Sequence, residues 1–138
     1  MRLDKLTSKL QTALADAQSL ALGKDHNLIR PEHLMLVLID QKGGTVRPLL
    51  SQTGFPVSQL RQTLQKSVSD LPVVPGHDGE ITASPELGKL LNQADRLAQQ
   101  KRDAYISSET VLLAAIQGKD GLSKILNGFG VSAQALGN

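Results

Sequence analysis

The chain has 138 residues, 15 basic and 13 acidic side chains, no cysteine and a net charge of +2. One domain's length, a small charge excess and no thiol exclude a disulfide framework, a thiolate metal site and a strong polyanion-binding field. Three aromatic residues, Phe55, Tyr105 and Phe129, are too few for the stacking platform of a single-strand nucleic-acid binder, and the longest strongly apolar run, Leu34 to Ile39, is far too short to span a membrane. The N-terminal MRLDKLTSKL is charged throughout and is no signal-peptide core. A cytoplasmic, non-secreted protein is expected.

Taken from the N-terminus, Leu3, Leu6, Leu10, Ala13, Leu14, Ala17, Leu20 and Ala21 recur three or four apart. They predict one apolar stripe along a long amphipathic helix. A polar turn at Gly23-Lys24-Asp25-His26 follows. Pro31 and Glu32 then open LMLVLI, whose lack of a polar face predicts a short helix buried all round. Thr45 to Thr53 reads as a helix closed by a left-handed Gly54. Val57, Leu60, Leu64, Val68 and Leu71 mark another, running to about Asp70. The stretch LPVVPGHDGEITAS has two prolines and two glycines and reads as a linker.

After the linker the pattern returns. Residues 7–39 and 84–116 match at 10 of 33 positions when the chain is shifted by 77, where chance gives about two or three. Eight of those ten identities are apolar, and an offset of 76 then pairs Leu50 with Leu126 and Gly54 with Gly130. A tandem duplication explains this. Ser84-Pro85-Glu86 starts the second long helix, carried by Leu87, Leu90, Leu91, Ala94, Leu97 and Ala98. Lys101-Arg102-Asp103 is its turn, and Ser108-Glu109 opens the buried VLLAAI. Leu122, Ile125 and Leu126 form a short helix. Val131 to Leu136 begins a last one, barely two turns where the first copy has about fourteen residues. The predicted fold is all-α: a pseudo-twofold tandem repeat of a roughly four-helix unit in one globular domain. Repeat one covers about 3–71, the linker about 72–83 and repeat two about 84–138, with the natural protein continuing beyond.

Catalytic signatures are missing. Gly23-Lys24 and Gly88-Lys89 lack the spacing and hydroxyl of a phosphate loop, and no HExxH, GxSxG or GxGxxG occurs. His26, His33 and His77 are scattered; His33 reads as a satisfied structural histidine and His77 as solvated in the linker, and no metal site is expected. The segment is not expected to be an enzyme or to bind a cofactor or nucleic acid.

The stretches MRLDKLTSKL, ALADAQSLALGKDHNLIRPEHLMLVLI and RDAYISSETVLLAAI resemble the N-terminal domain of the ClpB disaggregases, a branch of the Clp AAA+ heat-shock chaperones. The resemblance covers essentially the whole chain. It implies a compact all-helical double repeat joined by a mobile linker to two ATPase modules, one bearing a coiled-coil insertion. The full-length protein would then be a homohexamer using ATP and Mg, assisted by the DnaK chaperone system, that threads unfolded or aggregated polypeptides through its pore. The isolated domain would be a monomer that recognises these polypeptides and hands them over. The resemblance also implies substrate-handling roles for Thr7, Asp103 and Glu109, and an apolar groove on repeat two, with Leu91, Leu97, Thr110 and Val111 as its lining. The family groove carries an aliphatic residue where Thr110 stands. An acidic, hydroxylated rim of this kind suits extended apolar chains with basic flanks. Structural readings stand beside these roles: Thr7 as a helix cap, Glu109 as a helix-entry carboxylate like Glu32, Asp103 as a solvated turn residue, and Leu91 and Leu97 as core like Leu14 and Leu20. Related ClpA and ClpC N-domains dock adaptor proteins that feed a protease, and this is the alternative role.

Overall fold

The computed structural model describes residues 3–76 and 79–130. The predicted helix from Val131 and the placement of His77 lie outside the described residues. The first two helices form where a local start signal and an apolar run coincide. Helix α1 (Ser8–Gly23) starts because the Thr7 hydroxyl accepts the Leu10 N–H at 3.2 Å, and it buries Leu10, Ala13, Ala17 and Ala21. Helix α2 (Pro31–Asp40) places a proline at its first position and is buried on almost every side. Helices α3 (Val46–Gln52) and α4 (Val57–Ser69) follow, separated by Gly54 at φ +82°. A side chain there would be strained, and glycine is not.

The second half repeats the plan. Helix α5 (Pro85–Gln100) is capped by Ser84, whose hydroxyl accepts the Leu87 N–H at 3.1 Å. Helix α6 (Ser108–Gln117) is buried from Thr110 to Ile116, and α7 (Gly121–Gly128) leads to Gly130 at φ +81°. The long helices α1 and α5 end alike. Asp25 and Arg102 hold left-handed φ values of 57° and 59°, and the next N–H groups, of His26 and Asp103, reach back to the Ala21 and Ala98 carbonyls at 2.9 Å in both halves. This is a Schellman closure built without glycine.

The fold is all-α as expected apart from one small sheet, and two local details depart from the pattern read in the sequence. Two short strands exist, β1 (Leu28–Ile29) and β2 (Thr82–Ala83), paired in parallel, and Leu6 pairs in parallel with Ile106. The first helix also begins later than its apolar series. Leu3–Lys5 is a 3-10 turn, Gln11 holds the Leu3 and Leu6 carbonyls through its side-chain amide, and Thr7 starts the helix proper. Leu6 follows the helical spacing but is drawn into the pairing with Ile106.

The two pairings are one interaction made twice. The Thr7 N–H donates to the Ile106 carbonyl at 3.0 Å, and the Ser84 N–H donates to the Ile29 carbonyl at 2.9 Å. Shifting either pair by 77 positions exchanges them. The segment leading into each half's first helix therefore lies against the segment leading into the other half's second helix. The linker is also fastened, with the Val74 N–H on the Asp25 carbonyl at 2.8 Å. One hydrophobic cluster runs through both halves, from Leu6 to Leu126, with α2 and α6 at its centre. Among the described residues no helix is long and apolar enough to cross a membrane.

Leu6 and Leu3 give a sharp contrast. Leu6 is 2% exposed and Leu3 is 65% exposed. Leu6→Ala is expected to cost about 2–5 kcal/mol and Leu3→Ala less than about 0.5 kcal/mol. Urea unfolding checks both, and the slope with denaturant should remain that of a single transition. Two separated transitions in Leu6→Ala would mean that the crossing does not unite the halves.

Candidate functional site

The seven residues singled out from the sequence divide into two sets. Thr7 caps α1 and is bonded through its N–H to Ile106. Asp103 is exposed in the turn three residues before Ile106, and Glu109 is exposed three residues after it, in the first turn of α6. The Glu109 carboxylate accepts a hydrogen bond from the Thr45 hydroxyl, across the two halves. These three polar groups thus lie along one seam, where Leu6 meets Ile106. Tyr105, 56% exposed, and Leu3 leave apolar surface at the same seam.

The apolar set is enclosed. Leu97 is 7% exposed on α5, which packs mainly on α6; Thr110 is 3% exposed, and Val111 is fully buried. The Thr110 hydroxyl lies 3.0 Å from that of Ser107, and the two close the start of α6. Only Leu91 is half-buried. Three of these four residues are packed into the core, and none of the seven lines either of the clefts below.

Two open clefts occupy equivalent places in the two halves. The first, about 980 Å³, lies between α1, α2 and α4. Its floor is Leu20, Leu36, Val37 and Val68, and Lys9, Lys24 and Lys42 stand among its lining residues. The second, about 670 Å³, lies between α5, α6 and the start of α7, over Leu90 and Ala114, with Lys89, Arg96 and Lys119 around it. A shift of 77 carries Val37 to Ala114 and Lys42 to Lys119. The floors differ. Leu20 and Val37 are half-buried and so still offer apolar surface, whereas Leu90 and Ala114 are 7% and 2% exposed. Periodicity placed all of these residues on apolar faces but could not tell floor from core.

Asp40 lines the first cleft and is tied down there by two arginines. Both its oxygens are held by Arg61, at 2.6 and 2.7 Å, and Arg47 adds a contact at 3.3 Å. A carboxylate at a helix C-terminus faces the negative end of the dipole, and the two guanidinium groups offset this. The hydrogen bonds from Arg61 hold the Asp40 carboxyl below its ordinary range.

His26 and His33 are not scattered in space. His26 Nδ1 and His33 Nε2 are 2.9 Å apart, buried, and the Arg30 N–H donates to His33 Nδ1 at 2.9 Å. The backbone donor fixes the tautomers: neutral His33 carries its proton on Nε2 and donates it to His26. Burial first, then the neighbouring His26, Arg30 and Lys24, push His33 down to about 4. Burial likewise lowers His26, helped by Lys24 and Arg30. No group of side chains able to hold a metal ion exists among the described residues. The residues equivalent to His26 and His33 in the second half are Asp103 and Thr110. Two of the candidate site residues therefore stand where the first half has a buried pair. A spacing of seven across a turn carries no periodic signal that would have revealed it.

Comparison with known proteins adds three findings. Residues 5–129 match the Clp repeat (R) N-terminal domain family. The chain is 54% identical over all 138 of its residues to the chaperone protein ClpB of Pseudomonas putida, and spans 16% of that protein's length. Among solved structures, the Hsp104 N-terminal domain of Candida albicans superposes with a TM-score of 0.83 over 96% of this chain and 86% of that one, at 19% identity. The ClpV N-domain in complex with a VipB peptide superposes with a TM-score of 0.76 over 91% of this chain and 79% of that one, at 27% identity.

The histidine pair predicts a pH dependence. Folding holds both imidazoles neutral, so the unfolded chain binds more protons once the pH falls below about 6.5. Stability is expected to fall between about pH 6.5 and 4, by at most about 1.4 kcal/mol per pH unit for each histidine, and then to level off. Asp40 contributes its own loss only near and below its ordinary range, and Glu32, pushed up by burial, runs the other way. The difference between the native chain and His26→Asn/His33→Thr isolates the pair. Urea midpoints measured from pH 7.5 to 4.5 should converge as the pH falls, and parallel curves would show that the pair does not titrate in this window.

Proposed function

Because the chain belongs to the Clp N-terminal domain family, we propose that it is the polypeptide-recognition domain of an ATP-dependent disaggregase. In this reading it binds exposed segments of unfolded or aggregated chains weakly and passes them to the ATPase pore. ATP and Mg would be held by other modules of a cytoplasmic homohexamer, and the DnaK system would work through those modules as well. This segment binds and releases; it carries out no reaction. The observation that carries the proposal is the pair of open clefts set outside a closed core, the larger with half-buried Leu20 and Val37 at its floor. A cleft of that kind takes an extended chain without asking for one sequence. The peptide complex of the ClpV N-domain supports the reading, since a relative on the same fold holds a peptide. The exposed Leu3 and Tyr105 at the Leu6–Ile106 seam favour a second reading, the docking of a folded adaptor there.

An NMR titration tests the first reading. A permanently unfolded client should shift resonances around the clefts, and the same protein in its folded form should not. An absence of shifts at about millimolar client, weaker than any useful recognition, would remove the proposal. Leu97 supplies the control. Enclosed in the core, it should tolerate Leu97→Ala at a cost of about 2–5 kcal/mol, and Leu97→Glu should unfold the domain. A folded Leu97→Glu chain that has lost client shifts would return Leu97 to the binding surface.

A further inference from the structure

The charges around the larger cleft narrow what it accepts. Lys9, Lys24 and Lys42 line it and make no ion pair among the described residues. Its acids are Asp16 and Asp40, and Asp40 is already taken by Arg61 and Arg47. Three uncommitted ammonium groups therefore face one uncommitted carboxylate, above a floor that still exposes aliphatic surface. We infer that the cleft between α1, α2 and α4 takes extended polypeptide segments in which carboxylates flank aliphatic side chains. The inference rests on the polypeptide-binding reading and gives it a place and a charge preference. That preference is opposite to the one expected from the Asp103–Glu109 rim.

The chemistry of the cations decides how selective such a site is. Arginine reads a carboxylate through a planar fork with fixed geometry, and lysine acts as a hydrated point charge on a flexible stem. Arg61 already holds Asp40 through its Nε and Nη2 edge, and Arg47 donates both to Asp40 and to the Ile39 carbonyl at 3.0 Å. The lining cations that carry no ion pair are the three lysines. Lysines favour acidic character while leaving its register open, and the exposed setting makes their contribution sensitive to salt. Asp40 is one of the residues lining the cleft, so a ligand's acidic group is drawn to the lysines and away from that carboxylate, and its aliphatic groups to Leu20 and Val37.

Two labelled peptides with identical Leu and Val positions, one flanked by Glu and Asp and the other by Lys, test this with the 138-residue chain. At low salt the acidic peptide should bind about tenfold more tightly and shift Leu20, Val37 and Val68, and the ratio should collapse at about 0.5 M salt. Lys9→Glu/Lys42→Glu changes two exposed side chains, so circular dichroism should be unaltered while the preference reverses. Equal binding of the two peptides, or an acidic peptide indifferent to the charge reversal, overturns the inference. If an unfolded client still binds in that case, polypeptide recognition stands and only this site and preference fall. If neither peptide nor client binds, polypeptide recognition falls and takes the inference with it.

Discussion

The exchanged pairing of the two halves is the constraint from which the remaining geometry follows. Leu6 lies against Ile106, and Ile29 lies against Ala83. Each crossing ends at a helix cap, Thr7 or Ser84, and also sits just before the entry to a core helix, α2 or α6. One contact thus sets where a long outer helix starts and where an inner helix of the other half begins. With both ends of the long helices set, by a hydroxyl cap at one end and a Schellman closure at the other, α1 and α5 can only lie over α2 and α6. The clefts are the space left beside them.

Much of this was legible because it depends on local chemistry. The caps at Thr7 and Ser84, the proline at the head of α2, the glycines after α3 and α7 and the all-round burial of α2 and α6 each follow from residues within a few positions of one another. The crossing strands were not legible. They are two residues long, and Leu6 sits four before Leu10, in step with the helix it does not join. Periodicity cannot distinguish an apolar residue that continues a stripe from one claimed by a partner a hundred positions away. Leu20 and Leu97 make the same point. They are identical residues at equivalent positions, yet Leu20 is half-buried at the floor of a cleft and Leu97 is enclosed. The difference comes from distant elements that no local pattern reports.

The two halves share a backbone problem and solve it with different side chains. After each long helix the chain turns through a left-handed residue and enters a core helix whose first N–H groups need partners. In the first half His33 accepts the Arg30 N–H and is itself steadied by His26. In the second, Ser107 accepts the Thr110 N–H at 3.2 Å, and the Ser107 and Thr110 hydroxyls meet. The hydroxyl solution needs no buried ring beneath the turn. Asp103, in the position of His26, is consequently turned to solvent, and a charge appears at the seam that the first half does not have. Divergence between the copies is visible where packing no longer demands the original residue.

Affinity at the larger cleft is bounded by the same packing that makes the fold. Leu36 is 6% exposed and Val68 is fully buried before any ligand arrives, so they add little new burial on binding. The apolar gain falls mainly to Leu20 and Val37, at about 25 cal/mol for each Å² removed from water. Against that stand the lost freedom of association and the ordering of lysine side chains. The balance favours fast, shallow contacts whose strength follows the charge of the ligand more than its shape. A rigid core with a poorly filled exterior cleft is thus suited to a transient hold. In the proposed role, a domain that must release what it recognises would gain more from that arrangement than from a deep pocket, because a tightly held segment would compete with the step that takes it onward.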